Sequence, residues 1–195
     1  MLPMAVFRNS KRGMILKTNQ TTQYGGYLDD GYYQTGASKS LVALTTGQYS
    51  GSTNIVLNGK TDVHSNACVW DAVNRLLWSR TLAASVGPTS NGLLSWTTNA
   101  NGEGIYSYAA AANAASLAGY NSGWRNPDIN ELQSIMDYEA KKADGIAFVP
   151  NITLYPWSST SVNGTANALY FYFAGCYSYP QAKTLTASCL LVRSL

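Results

Sequence analysis

The chain has 195 residues, of which only 12% are charged, with a formal net charge of +3; this length suits one domain that buries about 70% of its unfolded surface. Average soluble domains carry about 25% charged residues, so Asn, Thr, Ser, Gly and Tyr must supply most of the polar surface. The small positive balance contains no long basic run, which argues against a nucleic-acid partner, and no stretch approaches the roughly 18 apolar residues of a membrane-inserting helix.

Residues 1–17 read as an N-terminal docking arm, with Phe7, Arg8, Lys11 and Arg12 as its contact residues. The arm lacks the long apolar segment and small-residue cleavage site of a signal peptide, so folding in a host cytoplasm is expected. Residues 18–61 form a β-rich lead-in containing the turn Asp29-Asp30-Gly31. Within it, 40–44 and 53–57 read as a strand pair, and the second strand runs into Asn58-Gly59. That dipeptide signals a hairpin, because both central residues of a type I′ turn need positive φ. Gly59-Lys60-Thr61 imitates the end of a phosphate-binding loop, but Asn54 stands where the motif needs glycine, and a hairpin replaces the required helix.

Residues 68–71 and 75–78 read as two short strands around a turn, and 81–98 as a loop. An alanine-rich helix is predicted over 106–117, with Gly119 as its C′ residue. A second helix opens at Asp128, with Glu131 in capping-box spacing. Ile129, Leu132, Ile135 and Met136 give it a core-facing stripe, and Lys141 and Lys142 suit its C-terminal end. Residues 168–174 form a strand with aromatics on both faces, covered on each side or set at an assembly interface, and 184–192 form a closing strand. The order β-rich, helix, helix, β-rich predicts a single α+β domain.

Chemistry is sparse. The one histidine, His64, lies in a turn-like stretch and reads as a surface or structural residue. No Gly-x-Ser-x-Gly elbow is present, and no carboxylate pair suited to glycoside hydrolysis can be placed. Cys68, Cys176 and Cys189 match no zinc spacing and read as small buried hydrophobes. A Cys176–Cys189 disulfide is not expected in a reducing cytosol. The chain therefore reads as a non-enzyme without metal or cofactor. Arg125 and Arg193 suit structural forks that pin segments together, and Trp124 and Trp157 suit the core. The recognition candidates are Tyr177, Tyr179, Gln181 and Lys183 with the loop from Asn163 to Asn167, since tyrosines give rigid contact area plus a hydroxyl. The alternative for this stretch is a hairpin of ordinary surface residues.

The ordered set Leu76-Leu77-Trp78, Trp124-Arg125-Asn126-Pro127, Glu131-Leu132-Gln133-Ser134, Trp157-Ser158-Ser159-Thr160, Tyr170-Phe171-Tyr172-Phe173 and Val192-Arg193 resembles the Lcl C-terminal domain family, over about 62–195. The lead-in Thr18-Asn19-Gln20-Thr21-Thr22-Gln23-Tyr24 is similar to that of many members. The resemblance makes Trp78, Trp124, Arg125, Pro127, Glu131, Trp157 and Arg193 the structural signature. It implies a C-type-lectin-like mixed α+β fold, with two helices and several short antiparallel strands, preceded by the arm. Members occur on bacterial adhesins and in tailed-phage virion proteins, often as trimers. With no collagen stalk, signal peptide or anchor in the sequence, the expectation is a phage virion surface protein, a capsid decoration, fibre or tail-associated component. It would be a homotrimer held to other virion proteins, binding host-surface carbohydrate weakly and multivalently. The alternatives are a purely structural capsid or tail cement protein, a bacterial adhesin, and an enzyme of the formylglycine-generating type. Asn126 replaces the family's usual leucine. The Glu-Pro-Asn and Trp-Asn-Asp calcium motifs of sugar-binding lectins are missing, so calcium is unsupported. The cysteines do not reproduce the reactive pair of the enzyme relatives.

Overall fold

The computed structural model describes residues 39–138, 142–143, 148 and 155–195. The docking arm with Phe7, Arg8, Lys11 and Arg12, the lead-in up to the turn at Asp29-Asp30-Gly31, and Lys141 lie outside the described residues. In chain order the elements are β1 (Leu41–Leu44), β2 (Ser52–Leu57), β3 (Lys60–Ser65), β4 (Cys68–Asp71), β5 (Leu76–Ser79) and β6 (Leu94–Ser95), then helices α1 (Ile105–Ala114) and α2 (Ile129–Ser134). The chain continues through β7 (Met136–Asp137), β8 (Lys142–Ala143), β9 (Trp157–Ser161), β10 (Asn167–Tyr172), β11 (Tyr177–Ala182), β12 (Thr186–Ala187) and β13 (Val192–Ser194). The fold is mixed α+β with short antiparallel strands.

A four-stranded sheet in the order β1-β4-β5-β13 divides the interior. Opposite residues of an antiparallel pair share a face, and here each face meets its own core. Trp70 lies opposite Leu77 and Cys68 opposite Ser79; Leu77 and Cys68 join Ile55, Ile105, Tyr108, Leu117, Trp124 and Trp157 in one core. Val69 lies opposite Trp78 and Asp71 opposite Leu76; Val69, Trp78 and Leu76 pack with Leu132, Ile135, Met136, Phe148, Phe171 and Phe173 in the other. Each buried aromatic removes ~150–250 Å² from water, so the three tryptophans of the signature are the largest single contributions.

The Asn58-Gly59 hairpin forms as the sequence predicts: β2 pairs with β3, and φ is 52° at Asn58 and 71° at Gly59. The strand pair of 40–44 with 53–57 does not form. β1 pairs with β4 instead, because Ile55 and Leu57 are already committed to the local hairpin. β3 crosses the division placed between 61 and 62, and Ile55 shares a core with Trp124.

Four further expectations are corrected. The first helix is Ile105–Ala114, not 106–117: Ser116 turns left-handed (φ 56°), and Gly119 (φ 81°) ends a short 3₁₀ turn after it. The second helix stops at Ser134. Ile135 leaves helical geometry, and Met136 and Lys142 enter the β7–β8 pair, so Lys142 is no helix-end cation. Within 81–98, Leu94–Ser95 pairs with Thr186–Ala187. The closing strand 184–192 is two short strands, β12 and β13, separated by buried residues 188–191.

Candidate functional site

The signature segment is the frame on which the site hangs. The side chain of Asn113 on α1 acts as a strand partner to Trp124: the Trp124 N–H donates to Asn113 Oδ1 at 2.9 Å, and Asn113 Nδ2 donates to the Trp124 carbonyl at 2.9 Å. One residue on, Arg125 and Val192 exchange two backbone hydrogen bonds of 2.9 Å. The Arg125 guanidinium then forks onto both oxygens of Glu131, at 2.7 and 2.6 Å. Glu131 also accepts from the Asp128 N–H while Asp128 accepts from the Glu131 N–H, each at 2.8 Å, so one carboxylate closes the capping box and anchors the arginine. Pro127 is buried, and its carbonyl accepts from the Ser159 N–H at 2.7 Å, tying the signature to β9. Trp78, Trp124 and Trp157 are all buried. Asn126, at the family's leucine position, is buried too, and its Oδ1 accepts from the Cys189 thiol. The Arg193 guanidinium lies over the Tyr120 ring, 3.7 Å from its centroid.

The three-stranded sheet β11-β10-β9 carries the surface of interest. Its register places Tyr170 opposite Tyr179, Tyr172 opposite Tyr177 and Ala168 opposite Gln181. Alternation therefore collects Tyr170, Tyr172, Tyr177, Tyr179 and Gln181 on one face, while Phe171 on the other face enters the core. Tyr155, just before β9, joins them, with ring centroids 5.4 Å from Tyr170 and 6.1 Å from Tyr172. Tyr170 and Tyr179 are 6.0 Å apart, and Tyr172 and Tyr177 are 5.6 Å apart. Beneath, Trp157 meets Tyr170 edge-on at 6.0 Å, linking the array to the core. Burial, and then the neighbouring tyrosines, push the Tyr170 phenol above its ordinary value. The turn works because Gly175 leaves no room for a Cβ between Tyr172 and Tyr177. Tyr177 and Tyr179 are 49% and 50% exposed, so about half of each residue's surface remains open to solvent.

The sequence candidates separate on this frame. Tyr177, Tyr179 and Gln181 come together on the tyrosine face. Lys183 does not: its ammonium lies 4.4 Å above the Trp96 ring, and Trp96 stacks edge-on with Tyr106 at 5.0 Å. Asn163 is exposed in the β9–β10 connection, and Asn167 opens β10 on the opposite face by alternation. Tyr155, Tyr170 and Tyr172 were the site residues hidden from sequence reading. For Tyr170 and Tyr172 the signal was the period-2 spacing of tyrosines in both β10 and β11, which becomes one face only after the register is known; Tyr155, ahead of β9, carried no such signal.

The other polar cluster is buried. His64 is on β3, not in a turn, and faces inward with Asp62 because both alternate with the exposed Val63. Tyr108 on α1 donates its hydroxyl proton to Asp62 Oδ2, and its oxygen lies 3.1 Å from His64 Nδ1. Asp62 Oδ1 accepts from the Ala84 and Ser85 N–H groups at 3.3 and 3.2 Å, and Thr81 Oγ1 lies 3.4 Å from His64 Nε2. Burial alone would raise the Asp62 carboxyl, but the hydrogen bonds from His64, Tyr108 and Ser85 outweigh it and hold the group below its ordinary value. Burial, then the Asp62 charge, pushes the Tyr108 phenol well up. All three members are at most 2% exposed, so the cluster offers no route to a substrate and reads as a core fastening. Nearby, Lys60 bonds the buried Glu103 at 2.7 Å. Among the described residues, no group of three His, Cys, Asp or Glu side chains has the disposition to hold a metal ion, and Cys68 and Cys189 are buried free thiols.

Compared with known proteins, the chain matches no curated protein and no solved structure. The family model of the Lcl C-terminal domain matches residues 67–193, the span that runs from β4 through the Trp124-Arg125 signature and the tyrosine sheet to the Arg193 stack. The chain belongs to the Lcl C-terminal domain family.

Proposed function

We propose that this is a non-enzymatic recognition protein of a tailed-phage virion surface, whose tyrosine face makes weak, multivalent contacts with host-surface carbohydrate through a lectin-like domain. The observation that carries the reading is the face of Tyr155, Tyr170, Tyr172, Tyr177 and Tyr179: a contiguous ring array that is rigid at its base, exposed at its rim and free of charge. Such rings give apolar contact plus a hydroxyl at low entropic cost. A homotrimer would multiply a weak site into useful avidity. The virion setting rests on where family members occur, and the arm of residues 1–17 is the segment proposed to dock on other virion proteins. The absence of enzymatic activity is supported by the Asp62, His64 and Tyr108 cluster being sealed, and by burial pushing the Cys68 thiol up to about 12 and that of Cys189 higher still.

A cement role without ligand binding is the second reading. It is favoured by Val56 and Val63, 57% and 63% exposed on the outer face of the β2–β3 hairpin, where a neighbouring virion subunit would cover them. The test is saturable binding of the labelled chain to intact host-type cells, with and without chelator. Binding that persists in chelator and is lost in a folded Tyr177→Ala, Tyr179→Ala variant is expected. A folded wild-type chain that binds no cells would transfer the reading to cement.

A further inference from the structure

We infer that a cleft at the Gln181 end of the tyrosine face is a subsite for one uncharged sugar ring; the inference rests on the recognition reading above and names the ligand class for that surface. The cleft measures about 420 Å³ and is lined by Tyr155, Tyr170, Gln181, Leu185, Thr186 and Ala187, a volume inside the ~300–1,000 Å³ range of small-ligand sites. It lies between two sheets, and both are fixed. Gln181 is held on β11 opposite Ala168, while Thr186 and Ala187 are held on β12 opposite Ser95 and Leu94. Tyr155 is positioned by the next residue, since the Pro156 carbonyl accepts from the Phe171 N–H at 3.1 Å.

The chemistry of the lining selects the occupant. None of the six lining residues carries a charge. The nearest cation along the chain, Lys183, is engaged over Trp96. A sugar bearing carboxylate or sulfate would lose water there without gaining a counter-charge, which is unfavourable. The polar groups that are present, the Gln181 amide and the hydroxyls of Thr186, Tyr155 and Tyr170, each donate and accept, and none has a hydrogen-bond partner among the described residues. Vicinal sugar hydroxyls also donate and accept. The C–H face of a pyranose matches the negative face of a phenol ring, and Tyr170 and Leu185 supply that apolar contact. Leu185 is 49% exposed beside this cleft.

The experiment places the labelled full-length chain on an array of neutral and acidic (sialylated, uronic and sulfated) oligosaccharides. Retention on neutral glycans is expected, unchanged when salt is raised from about 0.05 to 0.5 M, since no exposed charge pair is screened. Gln181→Ala and Thr186→Val should each weaken retention about five- to tenfold, the loss of one hydrogen-bonding group. Leu185→Trp, at an exposed and tolerant position, should block the cleft. Retention on acidic glycans alone, retention on none, or neutral retention indifferent to all three variants overturns the inference. If Tyr177→Ala, Tyr179→Ala abolishes cell binding while the three cleft variants bind cells normally, the recognition face stands and the sugar subsite falls. If cells bind the chain and no glycan competes, the partner is a protein and the subsite falls as well.

Discussion

Two regions of this molecule treat polar groups in opposite ways. Around β3 and α1, Asp62, His64, Tyr108, Lys60 and Glu103 are drawn inward and partnered with one another or with backbone. On the β10–β11 face, by contrast, phenols and the Gln181 amide stand at the surface without internal partners. Unmet hydrogen-bonding capacity inside a protein is destabilising, whereas at a rigid surface it is available to a ligand. The contrast separates the part of the chain that stabilises the fold from the part proposed to meet a partner. Substitutions in the first region should therefore unfold the protein, and substitutions in the second should leave it folded and disarmed.

The largest effect is expected from Asp62→Ala. It strands the Tyr108 hydroxyl, His64 and the Ala84 and Ser85 N–H groups in the core, and should lower the unfolding free energy by about 3 kcal/mol or more in a urea titration. Acid probes the same region without mutation. The Asp62 carboxyl is held below its ordinary 3.8; the Glu103 carboxyl is held below its ordinary 4.5 first by the bond from Lys60 and then by that from Asn99. A depressed folded-state value means that the stabilisation is complete above the unfolded value and is lost as pH falls through the folded one. Stability should thus be level near neutrality and decline below about pH 4.5, with a smaller decline in Glu103→Gln.

A smaller loss, about 1–2 kcal/mol, is expected for Glu131→Ala, which removes the N3 half of the capping box and the acceptor for Arg125. Thermal melts of Glu131→Ala and Glu131→Gln sharpen this, since glutamine keeps the capping bond and loses the ion pair. The smallest stability change should come from Tyr177→Ala, Tyr179→Ala, less than about 1 kcal/mol because both rings are half exposed. A double variant that melts like the Asp62 variant would erase the distinction between the two regions.

How much of this was legible beforehand follows from which interactions are local. The Asn58-Gly59 hairpin, the Asp128–Glu131 capping box and the family signature are written in neighbouring residues, and all are found in the fold. The sequence extends the second helix too far because Ile135 and Met136 keep an apolar spacing that suits a helix, yet Met136 leaves it to pair with Ala143 in the β7–β8 ladder. His64 was misplaced because its inward direction depends on hairpin register with Thr53 and on α1 supplying Tyr108. The tyrosine face was half visible: Tyr177, Tyr179 and Gln181 stood out by composition. Leu185 and Thr186 come to the same place only through pairing of β10 with β11 and of β12 with β6, and Tyr155 through the bond from the Phe171 N–H to the Pro156 carbonyl; no local pattern encodes that.

The central claim, that the tyrosine sheet is the recognition surface, is tested most directly by mapping tyrosine nitration by mass spectrometry on the chain free and bound to intact host-type cells. The account predicts that bound chains lose reactivity at Tyr155, Tyr177 and Tyr179, while Tyr106 beside Trp96 reacts equally in both states. Protection centred on Tyr106, or bound chains whose Tyr177 and Tyr179 react as fast as those of free ones, would contradict it.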